Sequence, residues 1–361
     1  MAETGSGVLK LTNNRAGELR SAENSFRPKQ GDIRVPPEII KQYQLQEGAL
    51  ITGRVHDGKL TCIDTIGGLT PAMYRERTPF TELVAVNPCE KFDLAMSDNI
   101  SMRIVDLIAP LGKGTRGMIV SPPKAGKTSL LMDITKAICT GSPGTRVIVF
   151  LIDERPEEVT YFRRGVNAEV IASSNDQSIE EHIKLAELTL KHIRSELECG
   201  IDVVVLVDSL TRMGRVFNLK GRGSGRTLSG GLDSGALEIP RRFFGLARNI
   251  ENGGSVTIIA TALVGTGSRM DELIFQEFKG TGNAEIVLDR KLAEKRIFPA
   301  VNIRESGTRK EELLHTEEDA QRIALLRRAL ADLKPEQMMS LLLKKMGEYP
   351  TNRELLASIR V

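Results

Sequence analysis

The chain has 361 residues, of which 40% are hydrophobic and 27% are charged, and its formal net charge is +3 at pH 7. This length and balance indicate a globular protein with room for two domains. The longest apolar runs, at 147–152 and 203–207, are far too short to span a bilayer, so no membrane partner is expected. The first residues lack the basic and apolar regions of a secretory signal. We therefore expect a cytoplasmic protein.

The cysteines and histidines argue against a metal or disulfide framework. Four cysteines are scattered without any C-x-x-C spacing, and the four histidines are equally dispersed. Such spacing is typical of reduced thiols in a cytoplasmic protein.

Residues 7–85 have the pattern of a small β-barrel, preceded by a disordered terminus at 1–6. Strands are predicted at 8–11, 17–19, 32–35, 50–55 and 59–63, with a helix at 37–43 and a hairpin turn at Asp57-Gly58. Short strands this closely spaced suit an OB-fold-like barrel. That fold often binds single-stranded nucleic acid, although small barrels also serve as plain structural domains.

Beyond a linker at 86–101, residues 102–361 alternate between apolar strands and amphipathic helices. Strands are predicted at 118–120, 147–152, 203–207, 256–260 and 284–288, and helices at 127–140, 179–198, 241–252, 320–333 and 336–345. Near-continuous apolar strands separated by helices indicate a mostly parallel sheet covered on both faces.

A phosphate-binding loop joins the first of these strands to a helix. Its sequence is Ser121-Pro-Pro-Lys-Ala-Gly-Lys-Thr128, with serine where the first glycine of the general pattern usually stands. Backbone N–H groups and a lysine would hold the phosphates, and the Thr128 hydroxyl would face Mg²⁺. The predicted nucleotide contacts are Pro123, Lys124, Ala125, Gly126, Lys127, Thr128 and Ser129.

Two neighbouring strands end in acids that suit a nucleotide-hydrolysing site. Asp208 ends an apolar strand, where it could hold Mg²⁺ opposite Thr128 or simply cap the next turn. Glu154 is the predicted general base for the attacking water, whereas Asp153 could order the magnesium hydration shell. Arg309 lies on a glycine-containing loop and could be an arginine finger for a neighbouring subunit or an ordinary solvent-exposed cation.

A basic segment follows Asp208. Residues 209–232 contain five cations and no acid, with five glycines interleaved in the second half. A solvated basic surface is the ordinary explanation of such a run. The glycines favour a mobile loop that could grip a polyanion along its backbone.

From about 102 to 314 the chain closely resembles the transcription termination factor Rho family. The stretches that carry the resemblance are the phosphate loop, LIDERPEEV at 151–159, VDSLTR at 207–212, RFFGLAR at 242–248, FKGTGN at 278–283, AEKRIFPA at 293–300 and SGTRKEEL at 306–313. The resemblance implies a RecA-type motor domain in a homo-hexamer that uses ATP and Mg²⁺ on single-stranded RNA. It also implies a helicase that releases RNA from the RNA polymerase elongation complex.

The resemblance also implies roles for individual residues. Lys127, Glu154 and Asp208 would keep the roles given above, and the serine at 121 matches the family's loop. Arg212 would sense the γ-phosphate, and Arg309 would be the arginine finger that the next subunit supplies. Phe298 would stack on adenine, and Arg155 would also contact the nucleotide. The implied RNA contacts in the channel loops and near the same interface are Gly225, Arg226, Ser268, Arg269 and Lys279.

The barrel departs from the family at its RNA-binding positions. Ala16, Glu18 and Arg34 stand where the family typically has stacking aromatics, although Arg20 and Asp32 remain and Phe26 could be a partial substitute. Many members also begin with a small helical subdomain, for which this chain leaves no room. Because stacking contributes about 1–3 kcal/mol per base, we expect weak or altered binding of pyrimidine-rich RNA by the barrel.

Two other functions remain open at the level of sequence. A ring ATPase of the rotary or DNA-translocating kind would share the phosphate loop and Asp208, but not the barrel or the basic loop. A non-catalytic RNA-binding ring would not need the full set of Lys127, Glu154, Asp208 and Arg309.

Overall fold

The computed structural model describes residues 3–12, 15–221, 231–233 and 235–359. Within these, the N-terminal segment forms a closed five-stranded barrel in the order β1-β2-β3-β5-β4. Its elements are β1 Glu3–Leu11, β2 Gly17–Arg20, β3 Ile33–Val35, α1 Pro37–Tyr43, β4 Leu50–His56 and β5 Lys59–Ile66. Alternate side chains such as Leu9, Leu19 and Ile51 fill the barrel, as the period of two requires. The OB-fold-like prediction is confirmed.

The predicted hairpin turn has the backbone that its sequence favours. Asp57 and Gly58 both have positive φ, at 48° and 69°, and His56 pairs with Lys59 across the turn. Two left-handed residues give the turn a twist that matches the flanking strands.

The expectation of disorder at 1–6 is wrong from Glu3 onward. β1 begins at Glu3 and pairs with β4 in an antiparallel ladder from Glu3↔Val55 to Val8↔Leu50. The polar sequence of this segment hides the strand, because its stability comes from the ladder hydrogen bonds rather than from an apolar face.

The motor has a nine-stranded sheet in the described part of the chain, with the order β14-β13-β7-β12-β10-β8-β9 and a side extension of β11 and β6. The strands are β6 Ala85–Val86, β7 Arg116–Ser121, β8 Arg146–Glu154, β9 Glu169–Ser174, β10 Val203–Asp208, β11 Arg248–Ile250, β12 Ser255–Leu263, β13 Ala284–Val287 and β14 Gly307–Thr308. The strands from β13 to β9 run parallel, and every residue of β10 is buried. This confirms the mostly parallel sheet.

Helices cover both faces of the sheet and bury two large apolar clusters. They are α3 Ile100–Ile108, α4 Lys127–Gly141, α5 Pro156–Gly165, α6 Ile179–Glu198, α7 Leu210–Gly221, α8 Glu238–Phe244, α9 Arg269–Phe278, α10 Arg290–Glu294, α11 Glu317–Leu330, α12 Pro335–Glu348 and α13 Asn352–Ala357; the short α2 Pro71–Glu76 packs instead on the barrel, where Tyr74 is buried. Among the described residues, no helix combines the length and apolarity needed to cross a membrane.

Three predicted segments differ in the structure. The helix expected at 241–252 ends at Phe244, because the chain then enters β11 and pairs with β12. The loop expected at 209–232 begins as α7, whose Met213, Val216 and Phe217 are buried against the sheet; residues 222–230 lie outside the described chain. The expected linker at 86–101 is folded onto the motor and buries Phe92 and Leu94.

Candidate nucleotide and RNA sites

The phosphate loop leaves β7 at Ser121 and enters α4 at Lys127. Lys124 and Gly126 have positive φ, at 65° and 91°, which curls the backbone so that its N–H groups face one side. A Cβ placed on Gly126 would lie 3.6 Å from the ring of Phe298, so that half-exposed ring lies against the loop. The N-terminus of α4 adds its positive dipole end to the same concavity, which therefore suits a phosphate.

Asp208 connects the loop to the sheet. It is fully buried at the end of β10 and forms an ion pair with Lys127, while the Thr261 hydroxyl donates a hydrogen bond to its Oδ1 over 2.9 Å. Its other oxygen, Oδ2, is buried without a hydrogen-bond partner among the described residues. A buried carboxylate oxygen of this kind calls for a cation or a donor.

A cluster of carboxylates around Asp208 fits Mg²⁺. Ligand oxygens of Glu154, Glu158 and Asp208 all lie within 4.8 Å of one another, and the Thr128 hydroxyl donates to Glu158 Oε2 over 3.2 Å. Hydroxyl and carboxylate oxygens are the protein ligands that Mg²⁺ prefers. The predicted pair of Thr128 and Asp208 is therefore brought together, and Glu158 joins it.

Glu154 lies at the end of β8 with 1% of its surface exposed. Arg212 donates to its Oε1 over 3.0 Å from Nη2 and to the Asp153 carbonyl over 2.7 Å from Nη1. Burial, followed by the charge of Asp208, raises the pKa of Glu154, and the Arg212 charge opposes that shift. A carboxylate with a raised pKa accepts a proton more readily, which suits a general base. The adjacent Arg155 side chain is exposed.

Comparisons with known proteins agree on a family. Residues 101–308 match the ATP synthase alpha/beta family nucleotide-binding domain, and residues 5–89 match the RNA-binding domain of the Rho termination factor. Transcription termination factor Rho of Cereibacter sphaeroides is 46% identical over 98% of this chain and 87% of its own length. The Rho proteins of Thermotoga maritima and Aquifex aeolicus are each 47% identical, again over 98% of this chain and 85% and 84% of theirs. This chain belongs to the transcription termination factor Rho family.

As a member of that family, the chain is an RNA-dependent ATPase that acts in transcription termination. Among solved structures, a type III secretion system ATPase of pathogenic bacteria is 26% identical with a TM-score of 0.62, covering 75% of this chain and 76% of that one. The ATPase EscN of enteropathogenic E. coli, at 21% identity, also has a TM-score of 0.62, over 78% of this chain and 73% of that one, and shows the fold alone. The match of residues 5–89 disfavours the rotary alternative.

In this Rho-family chain, the predicted RNA-binding segment at Ser268–Arg269 adjoins α9, and α7 links that helix to the nucleotide site. Ser268 caps α9, accepting from the Asp271 backbone over 3.3 Å, and Arg269 and Lys279 are exposed at the two ends of that helix. Arg215 of α7 donates to both oxygens of Asp271, over 2.8 and 2.6 Å. Gly225 and Arg226 lie outside the described residues.

Charged side chains occupy the outer face of the barrel at β2 and β3, in the part of the chain that the structure describes. Arg20 is held between Glu18 and Asp32, the latter over 2.7 Å, and Glu18 lies directly opposite Arg34 in the β2–β3 register. Phe26 is 6% exposed and packs edge-on against His192 of α6, with ring centroids 5.9 Å apart. Phe26 thus lies between barrel and motor, and both it and Arg20 border a cavity between the two.

Arg309 follows β14 and is exposed. Its backbone N–H donates to the Asn283 carbonyl over 2.7 Å, which fixes the loop, but its guanidinium has no ion pair within the described chain. It does not contact the Glu154 and Lys127 of its own subunit in the described structure.

Glu158 and Asp271 are the residues of interest that the sequence reasoning missed. Glu158 is the second acid after Arg155-Pro156, and its place in the first turn of α5 was a usable signal. Nothing in the sequence pattern distinguishes Asp271 from the other acids of α9.

Proposed function

We propose that this chain is the subunit of a homo-hexameric, ATP-driven translocase that pulls nascent single-stranded RNA from the RNA polymerase elongation complex in the cytoplasm. One observation carries the proposal. Helix α7 begins beside the carboxylate cluster around Asp208, contacts Glu154 through Arg212, and contacts α9 through Arg215. The predicted RNA-binding residues Ser268 and Arg269 lie at the start of α9. Nucleotide chemistry and RNA grip therefore share one rigid helix.

The proposed roles combine the family resemblance with the contacts of the site. Lys127 and the backbone N–H groups of residues 123–129 bind the ATP phosphates, and Phe298 and Arg155 border the nucleotide. Thr128 and Asp208 would hold Mg²⁺, which when bound neutralises developing charge on the phosphoryl oxygens. Glu158 would support them, because it accepts the Thr128 hydroxyl. Glu154 orients the attacking water and takes its proton, and Arg212 ties that carboxylate to α7. Arg309 of the next subunit supplies positive charge to the transferring group.

Two RNA-binding regions are proposed. The channel region comprises Ser268, Arg269 and Lys279 with Gly225 and Arg226, and it moves with each hydrolytic step. The barrel contributes less, because Arg20 is already paired with both Asp32 and Glu18, and a paired charge is less available to a base or a phosphate.

The test compares ATPase rates in the presence of poly(C), poly(U) and single-stranded DNA for the unmodified chain and for Glu154→Gln. We expect RNA to stimulate the rate and Glu154→Gln to reduce it by at least about a hundredfold, since a positioned base contributes 10²–10⁴-fold. RNA release from a stalled elongation complex is measured alongside. An RNA-independent rate would support the rotary alternative, and absence of hydrolysis in the unmodified chain would support the non-catalytic ring.

A further inference from the structure

A cavity of about 360 Å³ lies between the barrel and the motor, against the loop after β2 on one side and α6 on the other. Its apolar lining comes from both domains: Leu11, Phe26, Pro28, Ala172, Leu185 and Leu188. Four cations, Lys10, Arg20, Arg27 and Lys184, also border it, with Glu181 as the single acid among its lining residues. We name this cavity the interdomain slot. An apolar floor can hold an aromatic group, and a cationic rim can bind an anion, so this lining suits a ligand that has both.

The slot is built by specific contacts rather than by loose packing. Ser25 and Phe26 both have left-handed backbone, with φ of 51° and 56°, which turns the Phe26 ring toward α6. The Ser25 hydroxyl fixes this bend, because it accepts from the Ala172 N–H over 2.9 Å and from Arg163 over 3.2 Å. Two left-handed non-glycine residues are costly and persist only where their surroundings enforce them. The ring is therefore held in place before any ligand arrives.

The rim offers free positive charge. Lys10 is paired with Glu47 over 2.7 Å, and Arg20 is paired with Glu18 and Asp32. Arg27 and Lys184 are exposed, and neither forms a close ion pair within the described ranges of the chain; the Arg27 charge acts only at longer range on Asp176 and Glu181. Glu181 is engaged in capping α6, through contacts with Ser178 over 2.9 Å. The two cations at the mouth are thus available to phosphates.

We propose that the interdomain slot binds one nucleobase of single-stranded RNA, with the flanking phosphates on Arg27 and Lys184. The cavity has room for a base and its ribose but not for a duplex. Bases stack on aromatic rings without strong sequence preference, and exposed cations track the backbone. The slot would supply the stacking that the charged outer face of the barrel lacks. This inference rests on the proposed function, because it assigns a second contact for the same RNA.

The experiment uses the full chain without nucleotide and a short oligo(U) that contains 4-thiouridine. Irradiation should give crosslinks in the peptides that contain Phe26 and Leu185. Arg27→Glu with Lys184→Glu should lower that crosslink yield and reduce the slope of log affinity against log salt by about 1.4, which is two phosphate contacts at about 0.7 each. Lys41→Glu, an exposed cation on α1 away from the slot, is the matched control and should change neither quantity.

A second variant tests the ring itself. Phe26→Leu keeps an apolar side chain in the slot but removes the stacking surface, so crosslinking should fall while the salt slope stays unchanged. Crosslinks confined to the outer strands of the barrel, or to the channel peptides, would overturn the slot while RNA-stimulated ATPase activity would still uphold the proposed function. If RNA did not raise the ATPase rate of the unmodified chain, the proposed function itself would be overturned.

Discussion

The contacts of Glu158 suit a role in supporting the proposed Mg²⁺ ligands rather than in activating the attacking water. It lies in the first turn of α5 and accepts the Thr128 hydroxyl, whereas Glu154 is tied to Arg212. Its carboxylate is close to Asp208 but is only half buried, so it would support the Mg²⁺ ligands Thr128 and Asp208 from beside them. The neighbouring Glu157 is exposed in the same turn and provides a comparison of equal charge.

We predict that Glu158→Gln raises the Mg²⁺ concentration needed for half-maximal ATPase rate by about tenfold, the usual scale of an outer-shell change. Glu157→Gln should leave the magnesium dependence unchanged. Titrating Mg²⁺ at saturating ATP and RNA measures both. Equal effects of the two substitutions would mean that Glu158 acts only through general negative charge.

His192 is a buried neutral group in the interface between barrel and motor. Its ring Nδ1 donates to the Gly48 carbonyl over 2.8 Å, and burial, followed by the charge of Arg146, lowers its pKa from 6.5 to about 4. The unfolded chain therefore takes up a proton at this position as pH falls below 6.5, while the folded chain does not. Stability from the neutral ring is present above pH 6.5 and is lost between 6.5 and 4.

Between pH 6.5 and 4, the free energy of unfolding of the unmodified chain falls because of His192. We predict that His192→Gln makes this fall smaller by about 3 kcal/mol. Denaturant unfolding at a series of pH values measures the slope. His56→Gln, at an exposed position on the barrel hairpin, is the control. A slope unchanged by His192→Gln would place the pH dependence in other groups.

At the scale of elements, α7 connects the proposed general base to the helix of a proposed RNA-binding segment. Its first turn carries Arg212 against Glu154, and one turn later Arg215 binds Asp271 at the start of α9. Burial raises the pKa of Asp271, but hydrogen bonds from Arg215 and Thr266 outweigh it and hold that pKa below its ordinary value. The pair is therefore ionised and rigid, so a shift of α7 carries the Ser268–Arg269 loop with it.

We predict that the double variant Arg215→Gln with Asp271→Asn keeps RNA-independent ATPase activity but loses most of the RNA stimulation. Changing both partners avoids leaving a buried unpaired charge, which would cost stability. The pair Arg241–Glu277 joins α8 to the other end of α9 over 2.5 Å and is exposed. Neutralising that pair should preserve stimulation, as steady-state rates with and without RNA would show. If Arg215→Gln with Asp271→Asn left the RNA stimulation unchanged, the contact between α7 and α9 would not be needed for it.

The sequence was most informative where one local pattern sufficed. Residues 37–43 and 179–198 were predicted as helices and form α1 and α6 with those bounds. The N-cap Ser178 of α6, the proline at the first position of α1 and the regular apolar spacing carry that information. α7 was missed because its cations and glycines resemble a loop, and only burial of its apolar face against the sheet makes it helical. β11 was missed because a three-residue strand depends entirely on its partner, β12.

In the candidate site too, local patterns predict some residues, and tertiary packing alone determines others. Lys127, Thr128 and Asp208 could be predicted because strand ends and a phosphate loop place them on one edge of a sheet. The contact between Arg215 and Asp271 joins positions 56 residues apart. It could not be predicted, since no local pattern records which acid a cation on another helix will meet. The interdomain slot depends likewise on the docking of two domains.

At the scale of the whole molecule, the proposed arginine finger lies apart from the ATP site of its own chain. Lys127, Glu154 and Asp208 are gathered, but Arg309 is exposed on the β14 loop and does not contact them in the described structure. A head-to-tail ring would bring the Arg309 of one subunit to the nucleotide of the next, since heterologous interfaces close into rings when the rotation permits. Each active site would then belong to a pair of neighbours.

We predict that Lys127→Ala and Arg309→Ala are each inactive alone, and that mixing them restores ATPase activity. In a randomly mixed ring, on the order of a quarter of the interfaces would pair an intact Lys127 with an intact Arg309 of the next subunit. The measurement is the RNA-stimulated rate after the two variants have been unfolded, mixed and refolded together, with each variant refolded alone as the control. If Arg309 acted on the nucleotide of its own chain, no mixed ring would contain a complete site and the mixture would stay inactive. Recovery that follows the mixing ratio, with a maximum at equal amounts, would identify the finger as a neighbour's residue.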